Sequence, residues 1–262
     1  MRTGRLFWGI VILIIGVVLL LVNLGLLVVD IWSVIFPLFL VLLGVWFLLG
    51  PALRRGERAA KEVALDLEGA TEADVEINHG AGQLQVHAST DVNRLMVGSF
   101  AGGVDTQLRR EGGRALLKMS VPGDAWMSFP FTDGFRWDVG FNAQTPLRLR
   151  FHTGAGETQL DLRDLQVKDL VLETGASSTR LTFPAQAGFT RAKIETGAAS
   201  LEMRIPEGVA ARIEVESGMS SINIDTLRFP QRGKIYESAD YETAANKIEI
   251  DIETGVGSVT VR

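Results

Sequence analysis

Residues 152–203 read HTGAGETQLDLRDLQVKDLVLETGASSTRLTFPAQAGFTRAKIETGAASLEM, and one short phrase occurs in them three times. His152-Thr153-Gly154-Ala155-Gly156 is followed by Glu173-Thr174-Gly175-Ala176-Ser177 and by Glu195-Thr196-Gly197-Ala198-Ala199. The phrase extends outward to Asn78-His79-Gly80-Ala81-Gly82 on one side. On the other side stand Glu216-Ser217-Gly218-Met219-Ser220 and Glu253-Thr254-Gly255-Val256-Gly257. The lead glycines Gly154, Gly175, Gly197 and Gly218 are spaced by 21, 22 and 21 residues; Gly255 comes 37 later, which leaves room for one coil plus an insertion around 230–246.

The flanks of the phrase are as regular as the phrase. Three residues before each lead glycine stands an apolar residue (Ile77, Phe151, Leu172, Ile194, Val215, Ile252), and six residues after it another (Val86, Leu160, Leu181, Met203, Ile224, Val261). Around them the pattern alternates with period two, as in Ile248-Glu249-Ile250-Asp251-Ile252, the mark of a strand with one buried face. Glycine takes positive φ without penalty, so the lead glycines are expected at tight corners between strands. A repeat of about 21 residues cannot bury its apolar face alone, but stacked coils can. The sequence therefore predicts an all-β domain, a β-solenoid in which Leu181, Met203 and Ile224 form one buried row and Leu172, Ile194 and Val215 another. Thr179 is expected in a less constrained corner. A β-sandwich of hairpins uses the same alternation and is the alternative. Strand-like stretches at 63–67, 74–77, 84–87, 95–100 and 115–121 start the same stack, with no linker that would separate them as a domain.

Ahead of this domain the composition changes. Leu6–Val29 is an apolar run of 24 residues with Asn23 as its one strongly polar member; Asp30 interrupts, and Ile31–Leu49 adds 19 more. Each run is long enough to span a bilayer as a helix, and Trp8, Trp32 and Trp46 fall where indoles favour the interface. A cleaved signal peptide would carry a shorter apolar stretch and a small-residue cleavage site, which are not found. The expected organisation is a transmembrane hairpin over 1–58, with spans at about 6–24 and 32–50, and a β-domain over 59–262. Arg2 and Arg5 precede the first span, Arg54, Arg55, Arg58 and Lys61 follow the second, and the connection has no cation. By the positive-inside bias both termini and the β-domain are expected in the cytoplasm, on a multi-pass cell-membrane protein.

Six of the 26 cations and three of the 31 anions fall at or before Glu62, which leaves 20 and 28 beyond it and a net charge of −8 there. An acidic domain is a poor partner for nucleic acid. The chain has no Cys, which excludes disulfides, thiol catalysis and thiolate metal sites. The glycine phrases lack the Lys-Ser/Thr ending of a phosphate loop, and neither Gly-x-Ser-x-Gly nor His-Glu-x-x-His occurs. No catalytic, cofactor or metal site is expected. His79, His152 and Glu173 are either an incipient metal set or, on the plainer reading, polar residues beside turns in water.

Two surface features are candidates for partner binding. Glu173, Glu195, Glu216 and Glu253 all stand two residues before a repeat glycine, so stacking puts them in an acidic row about 4.8 Å apart. Such a row is either a solvated face balanced by Arg180, Lys193, Arg204 and Arg212, or a docking strip for a basic partner. The second is AWMSFPFTDGFRWDVGF (125–141), with Trp126, Phe129, Phe131, Phe135, Trp137 and Phe141. It is either a cap over the end of the stack or a loop that meets the inner-leaflet interface or a membrane partner.

The stretch Gly16…Asn23-Leu24-Gly25-Leu26-Leu27…Trp32…Pro37-Leu38…Gly44, together with the Thr-Gly-Ala-Gly/Ser series, resembles LiaF-type membrane proteins, in which a transmembrane hairpin precedes a toastrack β-domain. The resemblance implies a non-enzymatic accessory protein that modulates a sensor histidine kinase in the bacterial cell-envelope stress response. A self-associating scaffold at the inner leaflet is the alternative. The partners implied are the lipid bilayer and either that kinase or a second copy.

Overall fold

A computed structural model describes residues 60–123 and 135–262, together with Leu13, Phe36, Pro37, Phe39, Leu40 and Val41. The chain divides into two compact units, Met1–Glu57 and Arg58–Arg262. In the first, the six described residues are helical, and Leu13, Phe36, Phe39, Leu40 and Val41 are all half or more exposed. Among the described residues no helix is long and apolar enough to cross a membrane; the expected spans at 6–24 and 32–50 lie almost wholly outside them.

The second unit is one open sheet of 13 strands. In chain order these are β1 (Lys61–Asp66), β2 (Glu72–Ser89), β3 (Arg94–Ala101), β4 (Asp105–Glu111), β5 (Arg114–Ser120), β6 (Phe135–Asn142) and β7 (Pro146–Asp161). They continue as β8 (Gln166–Thr182), β9 (Phe189–Arg204), β10 (Ala210–Ile224), β11 (Gln231–Arg232), β12 (Ile235–Glu237) and β13 (Lys247–Val261). All strands belong to one sheet, so the alternative of two packed antiparallel sheets does not form.

Six long strands carry the glycine phrases and run parallel in the order β2-β7-β8-β9-β13-β10. Parallel neighbours ordinarily need a crossover of a dozen residues. Here residues 162–165 suffice between β7 and β8, and 183–188 between β8 and β9. So short a link requires each strand to double back and finish beside the start of the next. The burial pattern shows where it turns. Leu172 and Leu181 are nine residues apart, an odd number that would put them on opposite faces of a flat strand, yet both are buried in the same core, as are Ile77 with Val86 and Ile194 with Met203. The chain bends between them, at the glycine phrase.

The stack does not follow chain order. β13 lies between β9 and β10, so Val261 stands between Met203 and Ile224, and Ile252 between Ile194 and Val215. The expected rows are real but each has an extra member, and Val215 is only half-buried. The cause lies at the strand ends. Ala210 N donates to Asn246 O and Gly188 N to Asn246 Oδ1, which fixes the entry to β13 between the starts of its two neighbours. At the other end Ile205 N donates to Arg262 O and Asp225 N to Val261 O, so β13 also finishes between its neighbours, and the Arg228 guanidinium donates to the carbonyls of Ile205, Pro206 and Val209 in the β9–β10 connection. Thr179, expected in a tolerant corner, is buried, with its hydroxyl 3.2 Å from Ser177 Oγ.

At the other end of the stack, two strands share the outer edge of β2. β5 pairs with its first half and β6 with its second, both parallel. They stand as the two arms of a further layer. β4 borders β5, β3 borders β6 and β1 borders β3, all antiparallel.

Candidate functional site

The six lead glycines do not adopt the positive φ expected of tight corners. Five of the six are set by crowding between neighbouring layers. A Cβ on Gly175 would lie 2.8 Å from Gly154 O, on Gly255 2.6 Å from Gly197 O, on Gly218 2.9 Å from Gly255 O and on Gly197 3.2 Å from Gly175 O; on Gly154 it would collide with Gly80 O. Gly80, the outermost, meets nothing within 4 Å. Positive φ belongs instead two residues later, at Gly82 (132°), Gly156 (139°) and Gly257 (144°). The bends thus form a ridge of bare backbone, floor of a shallow trough of about 970 Å³ that ends against Ser120 and Val121.

The glutamates line this trough. Register places them in the order Glu173, Glu195, Glu253, Glu216, with His152 ahead of Glu173. Two residues before Glu195 on the same strand face, the Lys193 ammonium lies 2.7 Å from Glu195 Oε1 and 3.5 Å from Glu253 Oε1. Its hydrogen bond to Glu195 holds its pKa above the ordinary lysine value. His152 Nδ1 is 3.0 Å from Glu173 Oε2; a carboxylate only accepts, so this nitrogen donates. Lys234, from the insertion after β10, comes within 3.8 Å of Glu216. Of the other cations expected to balance the row, Arg180 faces Glu202 and Arg212 pairs with Glu237 and Glu242. Four carboxylates therefore share two ammonium groups, and the trough is net negative, half-exposed and solvated. Such pairs contribute little to stability, but the row can hold cationic groups.

Behind the ridge the position before the lead glycine faces inward in four of the six phrases; Thr153 is half-buried and Ser217 exposed. Thr174, Thr196 and Thr254 are buried there, and Thr196 Oγ1 donates to Thr254 Oγ1 at 2.9 Å. The recurring Thr before Gly was the available signal for this hydroxyl ladder. His79 occupies the same position in β2 and is buried, not solvated as expected. Its ring packs edge-on against Trp137 at 5.0 Å and Phe135 at 6.5 Å. Burial disfavours the imidazolium and lowers its pKa to about 4. Among the described residues, His79 Nε2 and Trp137 Nε1 have no hydrogen-bond partner.

Phe135, Trp137 and Phe141 are likewise core residues of β6 and offer no docking surface. Their spacing at 135, 137 and 141 is a strand period, which density of aromatics alone concealed. Trp126, Phe129 and Phe131 lie outside the described residues. Among the described residues no cluster of His, Asp and Glu is arranged to hold a metal; His152 and Glu173 are brought together and His79 is turned away.

With this geometry in place, comparison identifies the class: a β-domain of stacked parallel strands preceded by a LiaF-type transmembrane domain. The family described as the N-terminal domain of toast_rack matches residues 54–204, and the LiaF transmembrane domain matches residues 7–67. The chain belongs to the toast_rack family, as a LiaF-type membrane-anchored protein. Among solved structures, a protein provisionally described as a cell adhesion protein from Clostridium sporogenes is similar at 23% identity and a TM-score of 0.67, over 77% of this chain and 98% of that one. That likeness shows the fold. A provisionally described adhesin from Bacteroides fragilis aligns at 10% identity and a TM-score of 0.26, over 77% and 97% of the two chains. No curated protein matches.

Proposed function

We propose that this membrane-anchored protein is a non-enzymatic accessory factor that restrains a sensor histidine kinase of the cell-envelope stress response. In this reading the hairpin spans 6–24 and 32–50, both termini face the cytoplasm, and a β-solenoid of about 21-residue coils works at the inner leaflet. The observation that carries the proposal is the joining, in one chain, of a LiaF-type transmembrane domain to a toast_rack domain whose ridge bears a net-negative glutamate row. The anchor concentrates the domain near other membrane proteins, where weak contacts suffice. The trough, wide and shallow with no paired nucleophile and base, suits docking of a basic surface rather than turnover of a small substrate.

Deleting the gene should raise the basal output of one two-component system, and the β-domain expressed without residues 1–50 should restore it poorly. Unchanged basal and stress-induced output of every such system after deletion would remove the kinase role.

A further inference from the structure

β10 is protected along part of its outer side and open along the rest. Arg212, Ile213 and Glu214 pair there with Glu237, Tyr236 and Ile235 of β12. From Val215 to Ile224, among the described residues, no strand covers that side, although the inner side pairs with β13 to the end. An unpaired edge offers a row of free backbone donors and acceptors, and proteins usually guard such edges with charge or proline. The border strands at the opposite end are guarded in this way: β1 reads KEVALD and β4 reads DTQLRRE. The open length of β10 from Ser217 reads SGMSSINI, with neither charge nor proline.

The exposed apolar residues gather at the same edge. Of the five large ones described in the β-domain, Val92 and Phe189 lie elsewhere. Met219 (80% exposed) is on the open strand, Val256 (50%) is its register partner in β13, and Leu227 (96%) follows the end of β10.

We infer that residues 218–224 of β10 form a homodimer edge, pairing antiparallel with the same residues of a second copy about a twofold axis near Ser221. The segment is self-complementary: turned on itself it brings no like charges together, whereas β4 turned on itself sets Asp105 against Glu111, and the rest of the acidic domain repels a copy. A twofold contact needs one patch used twice. A seven-residue edge is smaller than interfaces that hold in dilute solution. The LiaF-type membrane domain compensates by confining copies to one plane. This inference rests on the edge and the membrane domain, independent of any kinase.

The absence of native cysteine makes the test direct. In the full-length protein in membranes, Ser221→Cys places two thiols opposite each other, at a Cα separation of about 4.5–5.5 Å that a disulfide can close. Mild oxidation should give a species of twice the 28.5 kDa chain mass, and Gln107→Cys, exposed on β4, should stay monomeric. Adding Met219→Lys with Asn223→Lys, which face each other across the axis, should reduce cross-linking to the Gln107→Cys level; both positions are exposed, so the domain stays folded. No dimer from Ser221→Cys, an adduct of another mass, or a dimer indifferent to the lysines would each overturn the inference.

Discussion

The carbonyl oxygen of Gly197 stands 2.6 Å from where a methyl group on Gly255 would sit. Layers of the stack approach so closely at the ridge that this position admits no side chain, whatever its φ. Gly255→Ala should therefore destabilise the domain by about 1–3 kcal/mol, since backbone must shift. Gly80→Ala, at the same repeat position with open space around it, should change stability by no more than about 0.5 kcal/mol. Urea unfolding of the two variants checks the contrast; equal losses would mean that conformational freedom, not crowding, selects the glycines.

Met203 is fully buried and Met219 is 80% exposed, each on a long strand of the stack. Met203→Asp should cost about 3 kcal/mol or more by burying an unpaired charge. Met219→Asp should leave the melting temperature of the β-domain near its starting value. Thermal melts followed by circular dichroism distinguish the two.

Acid should weaken the fold in two windows. His79 is held neutral, with its pKa depressed from 6.5 to about 4 by burial. The unfolded chain takes up that proton below pH 6.5 while the folded chain does not until about 4. Stability is thus full above 6.5, falls by on the order of 3 kcal/mol down to about 4, and then levels off for this group. Glu72 and Glu76, held below 4.5 chiefly by hydrogen bonds from Arg114 and Lys118, stabilise above 4.5 and lose that effect only as pH falls through their lowered values. In His79→Leu the loss between 6.5 and 4 should vanish while the steeper acid limb remains, as read by denaturant midpoints across pH.

Glu195→Gln with Glu253→Gln removes both carboxylates that flank Lys193. These groups are half-exposed and screened, so the melting temperature should move by no more than about 2 °C. If the glutamate row docks a basic partner, basal output of the restrained two-component system should rise toward the deletion level. A variant that restrains fully would remove the row from the interface.

Orientation is open to a fusion test. A reporter joined after Arg262 should be active in its cytoplasmic form and silent in its exported form, as the cations Arg54, Arg55, Arg58 and Lys61 imply. The reverse pattern would move the whole β-domain to the other side of the membrane.

Much of this was legible because the stack is periodic. Spacing alone turns Ile77, Phe151, Leu172, Ile194 and Ile252 inward, like Val86, Leu160, Leu181, Met203 and Val261, and all are buried. The order of layers is not legible, because β13 carries the same phrase as its neighbours and parallel pairing accepts it in any slot; the Asn246 contacts at its entry have no periodic trace. The alternation that places the glutamates outward also turns His79 and Thr179 inward, against the expectation of a solvated turn residue for the first and a less constrained corner for the second. At Phe135 and Trp137 the local aromatic density hides a two-residue period.

Placing β13 between β9 and β10 has a consequence for biogenesis. As the chain leaves the ribosome, β10 is complete before β13 exists, so the slot beside β9 stands vacant while residues 225–246 are being made. β10 carries the same glycine phrase and can occupy that slot in register, a nearly native but wrong closure that must reopen to admit the later strand. Assembly is then gated by the last strand to emerge, and the folding rate should respond more to changes in β13 than to equal changes in β8.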